Sequence, residues 1–116
     1  PSDMQGEHPE VILLLARANI AFPDFANSTL HAINALEALL VRLDNKELYQ
    51  AAPNIEDLQK ILTTMHRIYT LYYLGVLNRM AGRTEAAIDY LEKVLQLDPA
   101  SNFGENAYRE LSQLGQ

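Results

Sequence analysis

The stretch GVLNRMAGRT, residues 75–84, combines glycines, a basic residue and a hydroxyl, which are the residue types of a phosphate-binding loop. Such a loop needs four residues between its glycines, followed by Lys and Ser or Thr, at a strand-to-helix junction. Here six residues separate Gly75 from Gly82, Arg83 replaces the lysine, and the flanking apolar residues recur with a helical period. We therefore interpret Gly75 as a helix-packing position and Gly82 as a turn, and we expect no nucleotide and no other cofactor.

The other residues with catalytic or metal-binding chemistry do not form a recognisable site. His8, His31 and His66 are far apart in the sequence, without the H-E-x-x-H spacing of a zinc site, and there is no cysteine. No serine or threonine lies in a nucleophile elbow. The carboxylates suit helix starts and solvated helix faces: Asp57, Glu85, Asp89, Glu92 and Asp98. We predict no catalytic residue, no metal site and no enzymatic activity.

Composition limits the remaining function classes. The chain has 116 residues, 48% of them hydrophobic, which is enough for one domain with a core. The formal net charge of −6 and the lack of a Lys/Arg cluster argue against a nucleic-acid partner. No apolar run approaches the ~20 residues of a membrane span. Because the sequence opens with Pro1 and not with methionine, we expect the natural start to lie upstream.

Helical periodicity predicts an all-α fold of about five helices, with no strand. The first helix is expected to begin near Pro9, a residue that suits the first turn. The second should follow the short polar residues 27–29, which are good N-caps, and end at Asp44. A long central helix is expected over about 54–81, with Asn54 near its start.

The last two helices are predicted from their capping residues. Gly82 is expected to end the central helix in left-handed geometry, and Thr84 to cap the helix that follows. Asn102 and Glu105 resemble a capping box, which predicts a short final helix.

Residues 72–99, YYLGVLNRMAGRTEAAIDYLEKVLQLDP, resemble a tetratricopeptide repeat, a helix–turn–helix unit of ~34 residues. The matching positions are Leu74, Gly75, Gly82, Ala87, Leu91 and Pro99. Gly75 and Ala87 present little side-chain volume where the two helices would cross, and Pro99 prevents the second helix from continuing. The resemblance implies a repeat over 68–101, folded as an antiparallel helical hairpin.

A degenerate copy of the same unit lies upstream, at about 9–44. LARAN (15–19) corresponds to LGVLN (74–78), and AINALEALL (32–40) to AIDYLEKVL (87–95). The two correspondences are four residues out of register, so we expect the early copy to contain an additional helical turn.

The resemblance implies one helical domain over the whole sequence, since such units stack on their neighbours and need a capping helix. We predict five segments in the single domain 1–116: a flexible N-terminus (1–8), the degenerate repeat (9–44), a loop with a helix extension (45–67), the repeat (68–101) and a capping helix (102–116).

The first helix of such a repeat lines a concave groove for peptides, so the resemblance identifies candidate partner-binding residues. They are Tyr69, Tyr72, Tyr73, Val76, Arg79 and Met80. Tyrosine, arginine and methionine are common at binding hot spots. Two interpretations of this face remain: an open groove, or a core covered by the extension 54–67 and the first hairpin. Tyr72 and Val76 replace the lysine and asparagine of repeats that clamp a free C-terminal carboxylate, so such a clamp is not expected.

The resulting functional prediction is a non-catalytic module, an adaptor or scaffold, that binds a helix or an extended segment of a protein partner. The alternative is a structural subunit that forms a homo-oligomer or belongs to a larger assembly, of the secretion, pilus or outer-membrane type. An excised domain of a longer repeat protein is a variant of that alternative.

Overall fold

The computed structural model describes residues 8–22, 29–43 and 56–115. Those residues form five helices and no strand: α1 (Pro9–Ala21), α2 (Thr29–Arg42), α3 (Glu56–Met80), α4 (Thr84–Leu97) and α5 (Asn102–Gln113). The predicted all-α fold is confirmed. Predictions for the N-terminus before residue 8, for Asp44 and for the cap at Asn54 lie outside the described residues.

Helix α3 is the centre of the fold because it contacts all four other helices. Apolar residues of α1 and α2 pack against Leu74 and Leu77 of α3 in one buried cluster. A second cluster joins α3 to α4 and α5: Ile68, Leu71, Leu91, Val94, Ala107 and Leu111. Burial of large aliphatic side chains stabilises each contact by roughly 1.5–3 kcal/mol per side chain.

The crossing of α3 and α4 depends on Gly75, as the sequence predicts. A Cβ at this position would lie 2.6 Å from both Cγ and Cδ2 of Leu91, and Leu91 is fully buried. Ala87 is also fully buried on α4. Gly82 follows α3 with φ of 80°, the left-handed geometry that glycine adopts without strain. Its predicted role as the turn is confirmed.

Two predicted caps are wrong by one residue. Arg83 occupies the N-cap of α4 without a side-chain cap hydrogen bond, and Thr84 is already the first helical residue. Ser101 caps α5, where its hydroxyl accepts hydrogen bonds from the backbone N–H groups of Phe103 and Gly104. Serine satisfies these otherwise unpaired donors as well as asparagine would. The helix therefore begins at Asn102, the residue that the sequence placed at the cap.

The first hairpin has the same helix register as the second. Helix α1 ends at Ala21, as many residues after Leu15 as α3 ends after Leu74, and α2 and α4 both have 14 residues. The expected additional helical turn is therefore wrong. The four extra residues fall in the connection 22–28, which corresponds to the short connection 81–83.

Candidate functional site

Helix α3 lies between α1 and α5 and contacts both, so three helices share one face of the molecule. Pro9 at the start of α1 aligns with Ile68 inside α3, and α5 begins at Asn102, directly after residue 101. Glu10, Tyr69 and Phe103 each directly follow one of these three positions, and they face one common space. This arrangement positions the candidate site.

A groove with a volume of ≈ 460 Å³ lies between α1 and α5. Its lining consists of Glu10, Leu13, Leu14, Arg17, Tyr69, Tyr73 and Phe103. The volume falls within the ~300–1,000 Å³ of sites that hold small ligands, which suits a few side chains of a partner and not a folded domain. The groove combines an apolar floor with two charged residues of opposite sign.

Aromatic contacts build the floor between α3 and α5. The rings of Tyr69 and Phe103 are 4.5 Å apart between centroids, and the ring of Phe103 meets that of Tyr72 edge-on at 5.5 Å. Tilted and edge-to-face pairs at these distances are favourable. Phe103 therefore attaches the first turn of α5 to α3, while one side of Tyr69 remains in the groove.

A hydrogen-bond contact between side chains joins α1 to α3 beside the groove. Nε2 of His66 lies 2.7 Å from a carboxylate oxygen of Glu10, and His66 is buried while Glu10 is largely exposed. His8, the N-cap of α1, accepts a hydrogen bond from the backbone N–H of Glu10 through its Nδ1. The Glu10 carboxylate is thus held at the start of α1, where the helix dipole also favours a negative charge.

The electrostatics of the groove converge on Tyr73. Burial raises the pKa of the Tyr73 hydroxyl, the positive charge of Arg17 lowers it, and the charges of Tyr69 and Glu10 raise it again. The pKa of Tyr72 is raised by burial and by Glu110, and Arg79 lowers it. Charged side chains of α1 therefore act on the pKa of Tyr73, whereas Glu110 of α5 acts on the pKa of Tyr72.

The structure separates the six residues that the sequence assigned to the groove. Tyr69 and Tyr73 line it. Tyr72 is half-buried beside Phe103 and is not part of the lining. Val76 is buried, with 3% of its surface exposed, and Met80 packs against the cluster of the first hairpin. The predicted partner-binding role of these residues stays a prediction, and of the six residues Tyr69 and Tyr73 are the two that line the groove.

Arg79 is engaged by α5. Its Nε lies 2.6 Å from a carboxylate oxygen of Glu110, in a partly buried ion pair. The sequence expected the extension 54–67 and the first hairpin as possible covers for this face. In the described structure the capping helix α5 covers the Tyr72 and Arg79 side, and α1 of the first hairpin forms the opposite wall.

The sequence interpretation missed five of the seven lining residues, four on α1 and Phe103 on α5. The signal was present in the repeat register. Glu10, Tyr69 and Phe103 each occupy the second position of their helix unit, and Arg17 corresponds to Val76. Had the groove positions of the strong repeat been transferred to the other units, they would have identified these side chains.

Other kinds of site are not found among the described residues. In the ranges 8–22, 29–43 and 56–115, no group of three His, Cys, Asp or Glu side chains is placed to hold a metal ion. None of the helices in this part of the chain is long and apolar enough to cross a membrane.

Comparison with known proteins agrees with this geometry. Residues 68–101 match the family model of the tetratricopeptide repeat, which confirms the predicted repeat at the same bounds. Repeats of this type are generally non-catalytic and bind other proteins. No curated protein and no solved structure is significantly similar to the chain.

Proposed function

Residues 68–101 are a tetratricopeptide repeat, and from that premise we propose that the chain is a non-catalytic module that binds a short segment of a protein partner. The groove between α1, α3 and α5 is the binding site. One observation carries the proposal: α1, α3 and α5 leave a groove between them whose floor includes the partly exposed rings of Tyr69 and Tyr73.

The floor has the chemistry of a binding hot spot. Tyrosine rings offer large apolar area with few rotatable bonds, and their hydroxyls accept or donate hydrogen bonds. Leu14 stands at the rim of the groove with 64% of its surface exposed, an apolar area that a partner would cover. The fold holds these side chains on rigid helices, which lowers the entropy lost on binding.

The test selects binders from a phage-displayed library of random dodecapeptides and then measures their affinity for variants by fluorescence anisotropy. We expect Tyr73→Ala to weaken binding roughly tenfold or more. Tyr72→Ala is the matched control, since Tyr72 is the neighbouring, equally half-buried tyrosine outside the lining. Thermal unfolding of both variants shows whether the fold is retained. Equal losses for the two variants, or no selected peptide at all, would refute this site.

A second candidate function, self-association, is favoured by exposed apolar side chains on the first hairpin. Large apolar side chains are exposed there on both helices: Val11, Leu14 and Leu30, and Val41, which is 75% exposed. Exposed apolar area often marks an interface where it is contiguous, and a second copy of the chain would cover it. Sedimentation velocity without peptide discriminates the candidates, because a dimer that forms with rising protein concentration favours self-association.

A further inference from the structure

We infer that the groove takes an acidic apolar segment, in which the side-chain carboxylate of an Asp or Glu flanks two large apolar residues and pairs with Arg17. The inference rests on the proposed function and specifies the partner of that same groove. The first observation is which of the two charged side chains of the groove already has a partner. Glu10 is already engaged by His66, whereas no carboxylate of the described residues lies within ion-pair distance of Arg17.

Arg17 is therefore the available charge of the site. It is exposed on the wall of the groove, and its field reaches the hydroxyl of Tyr73. A guanidinium presents two parallel N–H groups that fit a carboxylate in bidentate geometry. A lysine of the partner would instead face the guanidinium at the same point, a like-charge contact that disfavours binding.

The positions of the two charges also indicate where the side chains of the segment lie along the groove. Glu10 and Arg17 are two helical turns apart on α1, about 10 Å along its axis. The apolar lining residues Leu13 and Leu14 lie between them. The apolar side chains of the partner therefore lie over the middle of the groove, and its carboxylate lies towards the C-terminal end of α1.

The local cation matters because the chain as a whole is acidic, with a net charge of −6. Long-range repulsion disfavours an acidic partner, so Arg17 must provide the specific attraction. Salt screens the long-range field over ~8–10 Å, whereas a contact pair in a groove is screened less. Moderate salt should consequently preserve the preference for acidic segments.

The experiment repeats the dodecapeptide selection with three baits: the natural protein, Arg17→Glu and Arg83→Glu. Arg83 lies in the connection between α3 and α4 and does not line the groove. Its replacement therefore makes the same change in net charge at a position outside the proposed binding site. We expect the natural protein and Arg83→Glu to enrich Asp or Glu beside apolar pairs. Arg17→Glu should instead enrich Lys or Arg. Because the displayed peptides have no free C-terminus, a clamp for a terminal carboxylate is not selected.

A selected peptide is then synthesised with both termini blocked, together with its Asp→Asn or Glu→Gln counterpart. Hydrogen bonds to charged groups predict a loss of roughly tenfold or more for the amide peptide, and no further loss when Arg17→Gln is combined with it. If the selected peptides show no preference for charge but still depend on Tyr73, the inference is overturned and the proposed function is retained. Failure of all three baits to enrich any peptide would overturn it together with the proposed function.

Discussion

Corresponding positions are buried in two hairpins of the molecule, the hairpin of α1 and α2 and the hairpin of α3 and α4. The corresponding pairs are Ala16 and Gly75, Asn19 and Asn78, Ala32 and Ala87, Leu36 and Leu91, and Leu39 and Val94, all of them buried. The helices have the same register in both hairpins. Both hairpins are therefore specified by where the chain buries small and large residues, although the family model matches residues 68–101 alone.

The hairpins differ in how closely their helices cross. In the second hairpin Gly75 lets Leu91 approach to within contact of the α3 backbone. In the first hairpin Ala16 keeps its Cβ at the equivalent place and is still fully buried. Glycine in a helix interior costs about 1 kcal/mol relative to alanine, so it is retained only where the close approach repays that loss. The second hairpin therefore has the closer helix crossing of the two.

The largest effect is expected from a substitution that prevents the close crossing of α3 and α4. Gly75→Ala would place a Cβ 2.6 Å from Cγ of the fully buried Leu91. Overpacking costs about 1–3 kcal/mol and outweighs the gain of about 1 kcal/mol in helix propensity. We expect a net loss of up to about 2 kcal/mol in the free energy of unfolding, measured by urea denaturation. The matched change Ala16→Gly should cost about 1 kcal/mol, through lost propensity.

The sign of the Gly75→Ala effect should reverse once Leu91 is shortened. In a Leu91→Ala background the added methyl group occupies the vacated space, so the same substitution should stabilise by up to about 1 kcal/mol. A loss of equal size in both backgrounds would mean that Leu91 does not limit the approach of the helices.

A smaller effect is expected at the paired asparagines. Asn19 and Asn78, 2% and 1% exposed, each donate through Nδ2 to the carbonyl four residues before, those of Leu15 and Leu74. Among the described residues, Oδ1 of Asn19 is buried without a hydrogen-bond partner, and Asn78 has no such atom. Because an unsatisfied buried oxygen is costly, we expect Asn19→Leu to stabilise by about 1 kcal/mol and Asn78→Leu to stabilise less. Thermal unfolding compares them, and a larger gain at Asn78 would contradict this account.

The smallest effect concerns the contact between the second helices of the two hairpins. The Tyr90 hydroxyl on α4 donates to Glu37 on α2 over 3.1 Å, and burial, the charge of Glu37 and this hydrogen bond raise the pKa of Tyr90 to about 12. An unfolded tyrosine titrates near ~10, so the folded state holds this proton more tightly. The resulting stability is complete below about pH 10 and is lost as the pH rises towards 12.

Tyr90→Phe should therefore lose less stability than the natural protein between pH 10 and 12. At neutral pH its cost should stay below about 1 kcal/mol, because the hydrogen bond is exposed. Urea denaturation at several pH values measures both quantities. Identical alkaline profiles for the two proteins would show that Tyr90 does not connect the hairpins in this way.

Local chemistry made most of the fold predictable. Apolar residues at helical spacing predicted five helices, and Gly75 and Gly82 predicted a crossing and a turn that the structure confirms. The site was less predictable because its walls come from distant parts of the chain. The burial of Val76 and the pairing of Arg79 with Glu110 depend on how neighbouring helices dock, which the periodicity of one helix does not encode.

The groove is assembled from α1, α3 and α5, segments distributed over almost the entire described sequence. An unfolded chain consequently has no partial version of it, and ligand binding is thermodynamically linked to global unfolding. A ligand at a hundred times its Kd would add about 2.7 kcal/mol to the free energy of unfolding. The melting temperature of the chain should therefore rise with the fraction of grooves that are occupied. Binding of any candidate partner segment can be measured in this way without a label.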